Sequence, residues 1–176
     1  MSIPPTAIVT RGCHGAGREL ARALAARQFA VALAYLRDQG EADRAVAEIV
    51  AAGGTAVAVR ADVTDELDVE RLFDETAAAF GTVDVVVHSA AHGSAVVNRQ
   101  AARRLRPSGA IVALSSAEPV PPDLAEELRA RDITINGVAP GLEPPGAAHT
   151  VTQLVALLDH WRGETDQTQP NPRRSA

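Results

Sequence analysis

Short runs of apolar, β-prone residues alternate along the chain with longer segments of helical periodicity, and this alternation leaves few folds open. Strands are predicted at Ala7–Thr10, Ala30–Tyr35, Thr55–Arg60, Val83–His88, Gly109–Ser115 and Ile133–Val138. Helices are predicted between and after them, at Gly15–Arg27, Gly40–Ala51, Asp65–Phe80, Ser94–Leu105, Pro122–Ala130 and Thr150–Trp161. Strands that are joined through helices lie parallel in a sheet whose two faces the helices cover. The order therefore predicts an α/β protein with three layers, α/β/α, around a parallel sheet of about six strands.

The length of 176 residues suits one domain. We predict that residues 1–161 form it and that the polar, proline-bearing residues 162–176 form a disordered or loosely held tail. The 17 basic residues are outnumbered by 22 acidic ones and form no block, so nucleic acid is not an expected partner. No apolar run approaches the roughly 20 residues of a membrane span. A cytoplasmic protein without a membrane contact is expected, and the single Cys13 allows no internal disulfide.

A glycine-rich turn lies between the first predicted strand and the first predicted helix, with the sequence Thr-Arg-Gly-Cys-His-Gly-Ala-Gly from Thr10 to Gly17. In Rossmann-like folds this turn must be tight, must let the backbone approach a pyrophosphate, and must let the helix pack closely on the strand. We therefore predict a dinucleotide-binding site whose residues here are Arg11, Gly12, His14, Gly15 and Gly17.

The end of the second predicted strand favours NADP(H) over NAD(H). An acidic residue would be expected there to bind the ribose hydroxyls of NAD. The chain instead has Tyr35, Leu36 and Arg37, with the first carboxylate at Asp38. Arg37 and His14 are placed to flank a 2′-phosphate, the alternative being that Arg37 is only a solvated loop residue.

Several motifs together resemble the short-chain dehydrogenase/reductase family, and its bacterial ketoreductase-like members in particular. The likeness extends from about Ala7 to Gly141. The matching segments are the glycine turn, the adenine-contacting turn Ala61–Thr64 with Asp62 and Val63, the fourth strand Val83–Val87, the strand Gly109–Ser116, and the strand and turn Ile133–Gly141. The resemblance adds Ala90, Pro140 and Gly141 to the residues expected to contact the cofactor.

The departures from the family pattern concern the catalytic groups. The family reduces ketones with a serine, a tyrosine that acts as general acid, and a lysine four residues after the tyrosine. The serine position is retained as Ser116, but the only tyrosine is Tyr35 and all 17 basic residues are arginines. Compared with the family pattern, the segment that carries the tyrosine and the lysine is deleted between Ser116 and Asp123. The chain is therefore predicted to be a truncated member without the usual redox machinery.

Further candidate residues are open to more than one interpretation. His88 and His92 are weak catalytic candidates beside Ser116, and their spacing at a strand end predicts no metal site. Asn98 is interpreted as an ordinary helical position. Cys13 is either a thiol of lowered pKa at a helix N-terminus or, as favoured, a small packing residue. Arg11 replaces the first glycine of the family's motif. It is unfavourable there if the position needs a positive φ, and its side chain either binds a phosphate or occupies the phosphate's place.

Three functions remain open. The favoured one is a non-redox step, such as cyclisation, dehydration or isomerisation, on a small molecule in a bacterial biosynthetic pathway, with a partial NADP(H) site retained. The second is a non-catalytic subunit that pairs with an active relative, and the third is an ordinary NADPH-dependent ketoreductase. A homodimer or a hetero-oligomer with another family member is the expected assembly.

Overall fold

The computed structural model describes residues 3–88, 93–114 and 120–137, together with Thr152, Gln153 and Ala156. Within these ranges six strands alternate with five helices. The strands are β1 (Thr6–Thr10), β2 (Ala30–Tyr35), β3 (Thr55–Arg60), β4 (Val83–His88), β5 (Ala110–Ala113) and β6 (Thr134–Gly137). The helices are α1 (Gly15–Ala26), α2 (Gln39–Ala51), α3 (Glu66–Phe80), α4 (Ser94–Arg104) and α5 (Pro122–Ala130).

The strands form one parallel sheet in the order β3-β2-β1-β4-β5-β6. The chain runs outward from β1 to β3, returns to the other side of β1 with β4, and continues outward to β6. The strand order therefore reverses between β1 and β4, which is where open α/β sheets bind ligands at the carboxyl ends of their strands. The predicted fold, a three-layer Rossmann-like α/β/α domain with six parallel strands, is confirmed.

The core consists of two apolar layers because successive strand residues point to opposite faces of the sheet. On one face α1 and α2 pack on β1 through residues that include Leu20, Leu24 and Ile49, around Val9. On the other face α3, α4 and α5 pack around Ile8. All five residues of β1 are buried. The central strand is thus covered on both faces, as its continuous apolar sequence predicts.

The predicted element boundaries hold to within one or two residues over the described ranges. Helix α2 begins at Gln39, one residue before the predicted start, because the Asp38 side chain accepts a hydrogen bond from the Glu41 amide and caps it. Gly53, with φ of 83°, follows its C-terminal end. Thr152, Gln153 and Ala156 are helical and exposed. The rest of the predicted last helix and the predicted tail lie outside the described residues.

The sequence pattern predicts Leu67 as an apolar position of α3, together with Leu72, Phe73 and Phe80, and for Leu67 this prediction is wrong. The buried positions of this helix are Val69, Leu72, Phe73 and Thr76, which form the stripe of a helix that packs on one side. Leu67 lies two residues before this stripe begins, on the opposite side of the helix, and its side chain is 74% exposed. Asp65 caps the helix by accepting a hydrogen bond from the Asp68 amide.

No helix among the residues that the structure describes is long and apolar enough to cross a membrane.

Candidate functional site

The glycine turn joins the carboxyl end of β1 to the start of α1. The Gly12 amide donates a hydrogen bond to the Ala34 carbonyl, 3.3 Å away, which ties the turn to β2. Arg11 and Gly15 both have positive φ, 53° and 48°. The position of the family's first glycine therefore does need a left-handed backbone, and an arginine occupies it.

Gly17 allows α1 to pack directly on this turn. A Cβ atom at Gly17 would lie 2.4 Å from the carbonyl oxygen of Arg11, and one at Gly12 would lie 2.7 Å from the Leu33 side chain. A side chain at Gly17 would displace the turn, whereas one at Gly12 would require the Leu33 side chain to move. The predicted reason for these glycines, close packing of helix and strand, is what the geometry requires.

The carboxyl end of β2 forms the second wall of the site. Tyr35 is half-buried, and the three residues after it are exposed. The Asp38 carboxylate accepts the Glu41 amide at 2.9 Å and so serves as the cap of α2. Among the described residues Arg37 forms no hydrogen bond or ion pair. The Asp38 carboxylate is thus hydrogen-bonded within the described chain, whereas the Arg37 guanidinium is not.

The turn between β3 and α3 forms the third wall. The Asp62 carboxylate accepts hydrogen bonds from the Thr64 amide at 2.9 Å and from the Thr64 hydroxyl at 2.6 Å. These two bonds lower the pKa of Asp62, and the charge of Arg37 acts in the same direction. The Asp62 amide donates to Asp68 at 2.8 Å, which fixes the turn that carries Val63. The spacing Asp-x-Thr was a readable signal for this side-chain-stabilised turn.

The three walls enclose an open cleft of about 520 Å³ at the carboxyl ends of β1, β2 and β3. Five predicted cofactor residues line it: Arg11, His14, Arg37, Asp62 and Val63. Sequence reasoning did not name Leu36 as a cofactor residue, although it directly follows β2, and it included Thr64 only as the end of the turn Ala61–Thr64. Arg18, the next cation along α1, does not serve the cleft because Glu41 and Glu48 bind its guanidinium.

His88 lies at the end of β4 and is 1% exposed. Its Nδ1 is 3.2 Å from the Thr10 hydroxyl and its Nε2 is 3.0 Å from the Ser94 hydroxyl. Burial lowers the pKa of His88 to about 4, so the ring is neutral at pH 7. The imidazole bridges the last residue of β1 and the first residue of α4, and both ring nitrogens face partners inside the protein. Its catalytic role stays a prediction.

Five predicted site residues lie outside the described residues, and their roles stay predictions: Ser116, His92, Ala90, Pro140 and Gly141. Cys13 is buried, and burial raises the pKa of its thiol, which agrees with the packing interpretation. Asn98 lies in α4, and its buried Oδ1 has no hydrogen-bond partner among the described residues. No group of three or more His, Cys, Asp or Glu side chains within those ranges is placed to hold a metal ion.

Comparison with known proteins connects this geometry to a family. Residues 5–108, more than half of the chain, match the family model described as short chain dehydrogenase. A curated relative, the 3-oxoacyl-[acyl-carrier-protein] reductase of Synechocystis, is 40% identical over 84 residues. That match covers 48% of this chain and 34% of the reductase, so the chain spans about a third of that relative's length.

Solved structures match over a larger part of the chain. A dehydrogenase/reductase from Sinorhizobium meliloti is 32% identical, with a TM-score of 0.67 over 80% of this chain and 73% of its own. A short chain dehydrogenase from Burkholderia cenocepacia, solved in complex with NADP, is 29% identical. Its TM-score is 0.68, and the match covers 78% of this chain and 74% of the other.

Proposed function

This chain belongs to the short chain dehydrogenase family, and from that premise we propose that it binds NADP(H), with the phosphorylated adenosine half in the cleft at the ends of β1, β2 and β3. The fit of the site to this ligand rests on its walls. The glycine turn leaves open space beside its backbone, since a Cβ at Gly15 would meet no atom within 4 Å. The relative that was solved with NADP supports the choice of cofactor.

The proposal depends most on which charged side chains of the cleft form hydrogen bonds or ion pairs within the described residues. Both carboxylates, Asp38 and Asp62, accept hydrogen bonds from their own chain neighbours. Each carboxylate accepts these bonds through Oδ1, which fixes it in a helix cap or a turn. Arg37 is exposed and forms no hydrogen bond or ion pair within the described ranges. An exposed guanidinium with no hydrogen bond or ion pair to the described residues favours a 2′-phosphate, to which arginine donates paired, charge-assisted hydrogen bonds.

His14, which belongs to the glycine turn, is the second hydrogen-bond donor of the proposed site. It is the N-cap residue of α1, and its side chain makes no capping hydrogen bond. The imidazole is exposed and lines the cleft with Arg37. In the proposed site, Arg37 and His14 hold the 2′-phosphate between them, and Val63 contacts the adenine.

The chemistry after binding departs from that of an ordinary reductase in this proposal. NADP(H) carries a hydride at its nicotinamide. Reduction of a ketone also needs a proton donor of suitable pKa. The only tyrosine of the chain, Tyr35, lines the adenosine end of the cleft, and the sequence has no lysine. We propose that the chain binds the cofactor without catalysing ketone reduction by the Tyr/Lys route. A non-redox step that uses Ser116 stays a prediction.

The direct test is a titration of the purified protein with NADPH and with NADH, followed by nicotinamide fluorescence and by thermal stability. We expect NADPH to bind more tightly than NADH. At 100 times its Kd, NADPH would stabilise the fold by about 2.7 kcal/mol. Equal or preferential binding of NADH would contradict the proposal.

Arg37→Ala tests the residue that decides between the two cofactors. Loss of charge-assisted bonds to the 2′-phosphate should weaken NADPH binding by about 10–100-fold and leave NADH binding unchanged. Arg22→Ala is the matched control, because Arg22 is an exposed arginine of α1 that does not line the cleft. An Arg37→Ala protein that still prefers NADPH would remove Arg37 from the site.

A reductase assay tests the proposed loss of ketone reduction. NADPH consumption with a 3-oxoacyl thioester should not exceed the rate without protein, even where NADPH binding is tight. Turnover that depends on the protein would favour the ketoreductase alternative.

A further inference from the structure

The end of β3 contacts the loop that carries Arg37. Resting on the cofactor site proposed above, we propose that Arg60 is a positioning residue for the 2′-phosphate. Its side chain holds the backbone of the loop after β2 and so fixes the place from which Arg37 reaches the ligand. Arg60 is the last residue of β3 and does not itself line the cleft. It acts on the cofactor through Arg37.

Backbone pairing between β2 and β3 stops just before this loop. Tyr35 is the register partner of Arg60, and the Ala61 amide still donates to the Tyr35 carbonyl at 2.8 Å. The next carbonyl, that of Leu36, accepts no backbone hydrogen bond from the described residues. The Nε of Arg60 donates to it instead, at 3.3 Å. The side chain thus continues the hydrogen bonding between the two strands for one residue beyond their backbone pairing.

This bond orients the peptide that joins Leu36 to Arg37. A peptide unit is planar, so a hydrogen bond to the Leu36 carbonyl fixes the direction of the whole unit up to the Arg37 Cα. Both residues are exposed and line the cleft. On the other side of Arg37, Asp38 is held by its capping bond to the Glu41 amide. The backbone of Arg37 is therefore restrained from both sides, next to the proposed 2′-phosphate.

Helix α3 gives Arg60 a fixed base. Arg71 of this helix donates to the Arg60 carbonyl at 2.8 Å and pairs with Asp68 at 2.9 Å. Asp68 in turn accepts a hydrogen bond from the Asp62 amide at 2.8 Å. The backbone before and after Ala61 is thereby bonded to one helix. Because its own backbone is held in this way, the Arg60 side chain restrains the loop after β2 rather than moving with it.

Two substitutions separate the hydrogen bond of Arg60 from its charge. Glutamine has a side-chain nitrogen as many bonds from Cα as the Nε of arginine, so Arg60→Gln loses the charge and keeps the donor, whereas Arg60→Met loses both. Arg60→Met should weaken NADPH binding about fivefold, because binding must then order a released loop. NADH binding should change by less than about twofold, because NADH has no 2′-phosphate for Arg37 to contact. Arg60→Gln should bind NADPH within about twofold of the unaltered chain.

A double-mutant cycle with Arg37 separates positioning from direct contact. If Arg60 acts through Arg37, adding Arg60→Met to Arg37→Ala should weaken NADPH binding no further. Additive losses would show that Arg60 acts on the cofactor independently of Arg37 and would overturn the inference. Equal losses in Arg60→Gln and Arg60→Met would overturn it too, because the charge and not the hydrogen bond would then matter. Arg22→Met is the control, at an exposed arginine that does not line the cleft.

The titrations distinguish failure of the inference from failure of the cofactor site. If the unaltered chain prefers NADPH and Arg60→Met binds it equally well, the role of Arg60 is overturned and the site stands. An equal loss of NADPH and NADH binding in Arg60→Met would mean that Arg60 only supports the fold, which also overturns its role in specificity. If the unaltered chain binds neither nucleotide at millimolar concentration, the site and the inference are both overturned.

Discussion

At the scale of single residues, His88 shows how a polar group is accommodated in the core. A buried imidazole destabilises a fold unless its two nitrogens find partners, and here Thr10 and Ser94 supply them. These partners belong to β1 and α4, so the ring joins the strand before the glycine turn to the helix that follows β4. The sequence marked His88 as chemically interesting, but its burial could not be read from the strand pattern alone.

Lowering the pH should weaken the fold through His88. The unfolded ring takes up a proton near pH 6.5 and the folded ring only near pH 4, so the unfolded state binds more protons between these values. Stability should therefore fall as the pH drops from 6.5 towards 4, by roughly 2 kcal/mol at about pH 5. Urea unfolding of the unaltered chain and of His88→Asn at about pH 7 and about pH 5 measures this contribution.

The comparison with His88→Asn isolates the histidine from other titrating groups. Burial raises the pKa of Asp84, which has the opposite effect on stability as the pH falls, but both proteins retain this carboxyl. His14→Asn is the matched control because His14 is exposed. A His88→Asn protein with the same pH dependence as the unaltered chain would show that the imidazole does not titrate as its burial requires.

At the scale of elements, the sequence predicts where helices and strands lie better than it predicts which side chains they bury. Asp65 and Gly53 mark helix ends through local geometry, which a short stretch of sequence encodes. Leu67 was expected among the packing positions of α3 because it is apolar. Its exposure depends on which side of α3 meets the sheet, and the stripe from Val69 to Thr76 sets that side. The positive φ at Arg11 likewise depends on how α1 packs against the glycine turn.

Helix α4 ends in a cap that comes from a distant loop, and removing the cap should destabilise the protein. Arg131 donates to the carbonyls of Ala102 at 2.6 Å and Leu105 at 2.7 Å, at the negative end of the helix dipole. Arg131→Ala should lower the free energy of unfolding by about 1–3 kcal/mol. Arg129→Ala, at an exposed arginine of α5 two residues away, should change it by less than about 0.5 kcal/mol. Chemical denaturation compares the two, and equal effects would contradict the capping role.

At the scale of the whole molecule, the alternation of strands and helices was enough to predict a parallel, two-sided sheet. The observed strand order is one of the few that right-handed, short crossovers allow. The site was predictable where it consists of contiguous turns, as at Gly12–Gly17 and at Ala61–Thr64. It was not predictable where function depends on which groups are already engaged. Asp38 is acidic in the sequence, and only the three-dimensional structure shows that it caps α2.

Binding of NADPH should slow amide hydrogen exchange at the edge of the sheet where the strands have their carboxyl ends. Hydrogen exchange with and without NADPH should slow at residues 11–18, 35–38 and 61–64, which surround the cleft. The groove between α1 and α2 that includes Gly53 and Gly54 is the internal control, because it lies where those helices end, towards the opposite edge of the sheet. Protection at that groove, with none at the cleft, would place the nucleotide elsewhere.

The strand order also sets a sequence of events in time. β1 lies between β2 and β4, and the Thr6 amide is bonded to Asp84, 78 residues further along the chain. During synthesis on the ribosome, one edge of β1 therefore stays unpaired until β4 has been made. The residues that line the cleft all lie between Arg11 and Thr64 and are made before that moment. The nascent chain thus carries every described lining residue of the cleft before the central strand has gained its second neighbour.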